Sequence, residues 1–330
     1  MRQFKVAAAQ LDAVYYDAQA NLGKIKLAIE QAANAGAKLV VFAELALSGY
    51  PFHVWTLPYH EQLPFVKRFY TEGAVEADGP EMHMLQETVV KHQINAVVGF
   101  SERDGGSLFM SQWILTSDGQ VKVRRKLKPT SLERIVYGEG DGSDLKVHDT
   151  ELGRLGVLQC WEHAQPLIKV AMSSQHEELH AASWPVFPSA LPHFSLSKEA
   201  NWAILTTYAI ETGTFVVSAS SLFSKQNIDV LSANGTRDCP LELGAGWSTI
   251  IDPEGRTLAS SEPGQVGLIY ADIDLDDCYE AKSVLDPTGH YSRRDVFQVG
   301  PHMEIHKKPT AKSEARKSSF DEDQGVLINA

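Results

Sequence analysis

Strand patterns alternate with helix patterns along this chain, and this alternation is the feature that most limits its fold. Residues 4–10 are apolar enough for a strand, and Asp17 can cap a helix after it. Gly36 ends that helix before a second strand that leads to Glu44. The apolar positions that share one face of the helix are Leu22, Ile25 and Ile29. Strand, helix and strand in this order predict a βαβ unit.

The alternation continues through the chain. A helix is predicted to begin at Pro80, with Met82, Leu85 and Val89 facing inward, and to lead into a strand at 95–100. Further strands are predicted at 112–116, 154–160, 179–184, 214–220, 247–252 and 266–272. No internal repeat is visible. The pattern predicts an α/β fold, but periodicity alone does not distinguish one sheet from two.

Cys160 closes the apolar run of residues 156–160 and is followed at once by Trp161-Glu162-His163. A thiol therefore stands where a buried strand turns into a polar loop, which is where open α/β sheets present catalytic side chains. The alternative is core packing, because free cysteine is among the most buried residue types. Cys160 is thus a candidate nucleophile that needs support from other residues.

Two other stretches give that support. Glu44 ends the apolar run that starts at Leu39, and a carboxylate there must be either paired or exposed at the strand tip. The basic run 122–128 precedes Glu133, although composition alone favours a solvated face for such a run. A carboxylate can take the thiol proton, and an ammonium can stabilise developing charge. The set is typical of acyl transfer at a carbon–nitrogen bond.

Six segments carry a resemblance to a known family. They are 6–10 (VAAAQ), 42–44 (FAE) with 49–51 (GYP), 125–130 (RKLKPT) with 133–134 (ER), 160–163 (CWEH), 182–185 (ASWP) and 286–293 (DPTGHYSR). In this order, over residues 4 to about 297, the chain resembles the nitrilase branch of the carbon–nitrogen hydrolase superfamily. The CWEH and RKLKPT segments are specific to true nitrilases.

The resemblance implies roles for four residues. Glu44 corresponds to the general base, Lys126 to the cationic stabiliser and Cys160 to the nucleophile. Glu133 corresponds to the second carboxylate, which positions the lysine and the substrate. Lys126 is preferred over Lys128 because it directly follows the arginine of the family pattern.

The resemblance also implies a four-layer α-β-β-α sandwich, with residues 1–300 as a single domain. It implies nitrile hydrolysis through cysteine thioimidate and thioester intermediates, with some amide as by-product and no cofactor or metal. The implied partners are a small-molecule nitrile and further copies of the chain, as dimers that can grow into spiral oligomers. Members that act as amidases, carbamoylases or cyanide hydratases are the alternatives, and a non-catalytic assembly protein is a remote one.

Aromatic residues near the predicted strand tips suggest the substrate class. Trp161 adjoins the nucleophile, His163 belongs to the same motif, and Trp55 and Trp184 follow strand ends. Small-ligand pockets are mostly apolar with a few placed polar groups. These four residues are predicted to bind an aryl or arylaliphatic nitrile, and ordinary packing is the alternative.

A zinc-hydrolase motif is a rival interpretation. His176 and His180 flank Glu177 with the spacing of a helical zinc site. However, His180 runs directly into the predicted strand 181–185, so the two rings are not expected to share a helix face. The sequence therefore disfavours zinc hydrolysis.

Composition bounds the partners and the compartment. A net charge of −12 argues against nucleic acid or an anionic membrane as the main partner. Cys160, Cys239 and Cys278 form no CxxC pair, which favours the reducing cytoplasm. No apolar run approaches the ~18 residues of a membrane span. The polar stretch 301–330 is predicted to be a disordered tail or a subunit-contact arm.

Overall fold

The computed structural model describes residues 2–188, 193–232, 241–293 and 295–296. The predicted tail 301–330 and Cys239 lie outside the described residues. The strands are β1 Gln3–Gln10, β2 Ala37–Val41, β3 Asn95–Asp104, β4 Ser107–Leu115, β5 Val121–Arg125, β6 Val147–Thr150, β7 Gly153–Gln159, β8 Leu179–Trp184, β9 Phe215–Ser220, β10 Thr249–Ile251, β11 Thr257–Ser260 and β12 Gly267–Asp274. The α-helices are α1 Ala18–Asn34, α2 His53–Thr56, α3 Tyr59–Arg68, α4 Pro80–His92, α5 Pro166–Ser173, α6 Lys198–Thr212, α7 Lys225–Leu231 and α8 Asp277–Val284.

Within the described residues, the strands form two six-stranded sheets. The first sheet has the order β12-β1-β2-β3-β4-β5, and the second has the order β11-β10-β9-β8-β7-β6. Three adjacent inner strands of each sheet run parallel, namely β1-β2-β3 in the first sheet and β7-β8-β9 in the second. The antiparallel pairing of β1 with β12 joins residues 3–10 to residues 267–274.

Alternating side chains explain why the sheets stack and why helices cover them. In β2, Val40 faces α1 and α4, whereas Leu39 and Val41 face the second sheet. Because successive side chains of a strand point to opposite faces, apolar residues at all three positions show that both faces of β2 are buried. On the far side, α5 and α6 pack through Met172 and Leu205 on the second sheet. The result is the predicted four-layer α-β-β-α sandwich, including the second sheet that periodicity could not show.

The first βαβ unit has a clear local cause. The side chain of Asp17 accepts a hydrogen bond from the N–H of Ala20 and caps α1, as predicted. Gly36 takes a left-handed φ of 85° just after the helix, where the missing Cβ removes the steric cost. The strands predicted near 95, 154, 179 and 215 are all present, whereas β5, β6 and β11 were not predicted.

The expectation of a solvated face for the basic run is wrong for two of its members. Arg124 and Lys126 are 2% and 1% exposed, while Lys128 is exposed and pairs with Glu139. Side chains alternate along the edge strand β5, and Lys126 continues this alternation just after the strand. Arg124 and Lys126 therefore point inward, whereas Arg125 points toward Glu102. Among the described residues, no helix is both long and apolar enough to cross a membrane.

Candidate active site

Glu44 lies in the turn that follows β2. This turn packs directly on β3, because a Cβ at Gly99 would lie 2.5 Å from the carbonyl oxygen of Ala43 and 2.6 Å from the nitrogen of Leu45. The N–H of Glu44 donates to the carbonyl of Trp184 at the end of β8, at 3.1 Å. The carboxyl ends of β2 in the first sheet and β8 in the second therefore meet at Glu44. Glu44 is 1% exposed.

Lys126 follows β5 and points into the same space. Its Nζ donates to Oε1 of Glu44 at 2.9 Å and to Oε2 of Glu133 at 2.8 Å. Its backbone N–H donates to the carbonyl of Met110 at 2.7 Å, which fixes the residue just beyond the strand. The ammonium is thus buried between two carboxylates, the arrangement that makes a buried cation tolerable.

Glu133 is held by the short 3-10 helix Ser131–Ile135. Its Oε2 accepts the N–H of Thr130 at 2.5 Å, in a capping box, as well as the bond from Lys126. Its Oε1 accepts the hydroxyl of Tyr50 at 2.8 Å. Tyr50 lies in the quoted GYP segment, but no sequence signal places its phenol on a carboxylate 83 positions away.

Cys160 is the first residue of a 3-10 helix, Cys160–Ala164, directly after β7. Its φ is +49°, a left-handed conformation that costs free energy in a residue with a Cβ. Its Sγ and one carboxylate oxygen each of Glu44 and Glu133 lie within 4.8 Å of one another. The structure therefore brings together the four predicted catalytic residues from four separate segments.

The charges of this cluster control its protonation. Burial raises the pKa of Glu44 to about 8, although Lys126 opposes the shift. Burial and the carboxylate of Glu44 also raise the pKa of the Cys160 thiol well above its usual range. Burial lowers the pKa of Lys126, but the two carboxylates outweigh it and raise that pKa well above its usual value. The resting state therefore has a neutral thiol beside a charged ammonium.

Glu44 is equipped to receive the thiol proton. Its Oε2 has no hydrogen-bond partner among the described residues, although it is buried. A carboxylate with a raised pKa is a stronger base than an ordinary one, so proton transfer from a thiol is less uphill. This arrangement supports general-base activation of a cysteine.

A second buried ion pair lies next to this cluster. Arg124 donates from both terminal nitrogens to Glu162, at 2.8 Å and 2.7 Å. The same carboxylate accepts the N–H of Leu127 and the N–H of Gln159, both at 2.8 Å. Burial raises the pKa of Glu162, but Arg124 and these N–H groups outweigh it and lower the pKa. Glu162 thus joins the residue after Lys126, Leu127, to the residue before Cys160, Gln159. Sequence reasoning did not predict this ion pair.

Aromatic side chains line a cleft that opens onto Cys160 and is continuous with solvent. The indole nitrogen of Trp161 donates to Oδ1 of Asn201 at 3.1 Å, which fixes its ring. The aromatic residues of the lining are Tyr50, Phe52, Trp55, Trp161, Trp184 and Phe187.

The cleft therefore includes three of the four predicted substrate-binding residues. His163 is the exception, because it is fully buried behind Cys160, with its ring stacked on Trp184 at 5.3 Å between centroids. The prediction that His163 lines the pocket is corrected. The cause is the 3-10 helix, which turns His163 away from the cleft while Trp161 faces it.

The zinc-motif residues do not form a helical site. His180 belongs to β8, whereas His176 is an exposed turn residue with φ of +60°. Within the described part of the chain, the side chains near enough to share a metal ion are Glu44, Glu133 and Cys160. There the ammonium of Lys126 already bonds both carboxylates.

The chain is similar in sequence to known proteins of one family. The carbon-nitrogen hydrolase family profile matches residues 5–283. The chain is 42% identical to an aliphatic nitrilase of Rhodococcus rhodochrous, over 90% of this chain and 82% of that one. It is 38% identical to an arylacetonitrilase of Aspergillus kawachii, over 90% of this chain and 92% of that one.

Among solved structures, the NitFhit protein of C. elegans superposes with a TM-score of 0.70. It is 19% identical, and the match covers 91% of this chain and 67% of that one. At this identity the likeness concerns the fold. The two closer sequence matches extend it to the branch, and the chain belongs to the carbon–nitrogen hydrolase family, in the branch of the nitrilases.

Proposed function

We propose that this protein is an enzyme that hydrolyses an organic nitrile to the carboxylic acid and ammonia, with Cys160 as nucleophile. One observation carries the proposal: Glu44, Lys126, Glu133 and Cys160 meet in one buried cluster at an aromatic cleft. The relatives named nitrilases support the reaction. No cofactor is needed for it.

The first half of the reaction forms a thioimidate. Glu44 takes the proton of the Cys160 thiol, and the sulfur attacks the nitrile carbon as one carbon–nitrogen π bond breaks. The nitrogen gains a proton and remains next to Lys126 and Glu133. Because Lys126 already bonds both carboxylates, its charge is positioned before the substrate arrives.

The second half consumes two waters. Glu44 directs the first water to the thioimidate carbon, and the tetrahedral intermediate expels ammonia to leave a thioester. A second water on Glu44 releases the acid and restores the thiol. If the tetrahedral intermediate expels the thiolate instead, the product is the amide, so we expect some amide.

For the substrate class we propose an aryl or arylaliphatic nitrile. The support is the lining, in which Trp55, Trp161 and Trp184 offer aromatic faces and the catalytic cluster supplies the polar groups. The arylacetonitrilase relative agrees with this choice. The aliphatic nitrilase relative makes aliphatic nitriles the competing class.

The test measures ammonia, acid and amide from a panel of aliphatic, aromatic and arylacetonitriles, with the matching amides assayed beside them. Cys160→Ala should abolish turnover and leave folding intact. Cys278→Ala, a second buried thiol outside the site, should keep activity. Substantial acid from Cys160→Ala contradicts the chemistry, and faster turnover of amides than of every nitrile favours an amidase.

We also propose that the enzyme associates with further copies of itself and works in the cytoplasm. Helices α5 and α6 leave apolar side chains exposed at Leu167, Val170 and Ile210, which is the kind of surface that subunits cover. A catalytic thiol must stay reduced, which favours a reducing compartment. Analytical ultracentrifugation of the wild type and of Leu167→Glu tests the association, and a monomer at micromolar concentration contradicts it.

A further inference from the structure

A continuous chain of buried polar side chains lies behind the nucleophile. Nδ1 of His163 is 2.6 Å from the carbonyl oxygen of Cys160, and its Nε2 is 2.8 Å from Nε2 of His180. Nδ1 of His180 is 2.5 Å from Oε1 of Glu177. Tyr208 ends the chain, with its hydroxyl 2.7 Å from Oε2 of Glu177. All four side chains are buried, and none lines the cleft.

The partners fix the direction of each hydrogen bond. A carbonyl only accepts, so Nδ1 of His163 carries a proton and donates to Cys160. Burial and the adjacent His180 lower the pKa of His163 well below its usual value, so the ring is neutral and its Nε2 accepts. Nε2 of His180 must then donate to it. The chain therefore has one polarity, directed from His180 toward the nucleophile.

The far end must hold one more proton. With Nε2 of His180 donating, its Nδ1 and Oε1 of Glu177 can be 2.5 Å apart only if they share a proton. The hydroxyl of Tyr208 donates to the other oxygen, because burial and the carboxylate of Glu177 raise the pKa of that phenol. Every hydrogen bond of the chain is thus satisfied without a net charge.

The surrounding backbone makes room for this chain. A Cβ at Gly156 would lie 1.5 Å from Oε1 of Glu177, so the strand that carries the nucleophile needs glycine there. The backbone carbonyl of Glu177 accepts bonds from Thr214 and from Nζ of Lys282, each at 3.2 Å. Burying four polar side chains costs their hydration, which their mutual hydrogen bonds offset but which apolar side chains of the same shape would not incur. That cost, together with the dedicated glycine, points to a role beyond filling space.

This chain of hydrogen-bonded side chains acts on the protein at the backbone of Cys160. Its left-handed φ of +49° persists only if the surroundings hold it. The bond from His163 fixes the carbonyl of the same residue, so it restrains the torsions that aim the sulfur at Glu44 and Lys126. We propose that His163, His180 and Glu177 form a positioning chain that holds the nucleophile in its reactive conformation.

This inference rests on the proposed nitrile chemistry and deepens it. Sulfur and nitrogen compete to leave the tetrahedral intermediate, and about 1.4 kcal/mol in relative barrier changes the ratio tenfold. A small turn of Cys160 moves its sulfur relative to Lys126 and Glu133. Loss of the chain should therefore change the ratio of amide to acid. That ratio belongs to each turnover and does not depend on how much of the enzyme is folded.

The experiment compares variants that break the chain with one that rebuilds it. His163→Leu and Glu177→Leu should change the amide-to-acid ratio at least threefold and slow the alkylation of Cys160 by iodoacetamide. Glu177→Gln should bring both quantities to within about twofold of wild type, since its amide can donate to His180 and accept from Tyr208. Glu178→Gln, whose side chain pairs with Arg2 instead, is the control and should match wild type.

Two outcomes overturn the proposal. One is a wild-type ratio and alkylation rate in folded His163→Leu or Glu177→Leu, and the other is a Glu177→Gln that behaves like Glu177→Leu. If the leucine variants do not fold, His180→Gln decides, because it keeps the donor to His163 and loses Glu177; an unchanged ratio there also overturns it. Acid formation by Cys160→Ala would instead reject the proposed function, so the two failures are distinguishable.

Discussion

Two ionic clusters lie side by side in this protein at equal depth, and they differ in how completely their oxygens are satisfied. Glu162 accepts four hydrogen bonds, two from Arg124 and two from backbone N–H groups. Glu44 accepts one, from Lys126, and its second oxygen has no partner in the described part of the chain. The pKa of Glu162 is lowered and that of Glu44 is raised to about 8. Burial is common to both carboxylates, so the neighbouring charges and the hydrogen bonds together decide the direction of each pKa shift.

The difference separates a structural pair from a reactive cluster. Arg124 and Glu162 balance each other in charge, whereas Lys126 faces two carboxylates. A fully paired carboxylate has nothing left to offer a substrate. A carboxylate with a free oxygen and a raised pKa can exchange a proton at the pH of the cell. Four experiments test whether the two clusters differ in this way.

Removal of the central ammonium should have the largest effect on turnover. We expect Lys126→Met to lower kcat/KM by about 10²–10³-fold, the cost of deleting one preorganised charge contact. Folding should persist, because Glu44 with its raised pKa can take a proton and remain buried as a neutral acid. The control is Lys128→Met, because Lys128 is exposed and pairs with Glu139. This substitution should lower kcat/KM only slightly. The opposite ranking of the two lysines would refute the assignment.

Removal of the neighbouring guanidinium should act on stability instead. Arg124→Met leaves Glu162 buried without its cation, which costs about 3–5 kcal/mol of the free energy of unfolding. Thermal unfolding of this variant should begin at a lower temperature than that of Lys126→Met. Per folded molecule it should retain more activity than Lys126→Met. Equal losses of stability in both variants would remove the distinction between the clusters.

The pH dependence of kcat/KM should report Glu44. Below its pKa the carboxyl is protonated and cannot accept the thiol proton, so the rate should rise with pH and reach half of its plateau near pH 8. Glu162 stays ionised over this range because its pKa is lowered, so it adds no second step. Initial rates from pH 5.5 to 9.5 measure this limb. A rate already constant above pH 6 would show that Glu44 titrates like an ordinary glutamate.

Trp161 belongs to neither cluster, and its removal should have the smallest effect. Trp161→Ala widens the cleft and frees the substrate's side chain, so it should alter the amide-to-acid ratio and the order of preference among aryl nitriles. The midpoint of thermal unfolding should move less than it does for Arg124→Met. Product analysis across the nitrile panel checks this. Identical product ratios would show that Trp161 only packs.

The sequence predicted the reactive cluster better than the structural pair, for a physical reason. Glu44 and Cys160 each end an apolar run, and such positions can be recognised from the sequence alone. The pairing of Arg124 with Glu162 joins β5 to the 3-10 helix that follows β7 of the other sheet, 38 positions apart, and looks in sequence like surface charge. Composition therefore placed the basic run on a solvated face. Interpreting the run as an edge strand with alternating side chains and one buried face would have predicted that Arg124 points inward.

His163 shows another limit. Its motif marked it as part of the site, but the direction of its ring depends on the 3-10 helix at Cys160 and on His180 in the next strand. Neither is visible as periodicity. The helices and strands with strong apolar patterns, such as α1 and β8, were predicted nearly to the residue. The short edge strands β6 and β11 were missed because few of their side chains are buried.

The antiparallel pairing of β1 with β12 has a consequence for how the chain is made. β1 leaves the ribosome before β12, its outer neighbour, which lies more than 250 residues later in the sequence. Until then β1 presents an open edge, which invites pairing with other chains. The side chain of Gln10, at the end of β1, also lacks its partners during this time, because it bonds Ser248, Ser261, Glu262 and Gln265. Contacts this distant slow folding, so the nascent first sheet stays unfinished during most of translation, and aggregation at that stage competes with enzyme yield.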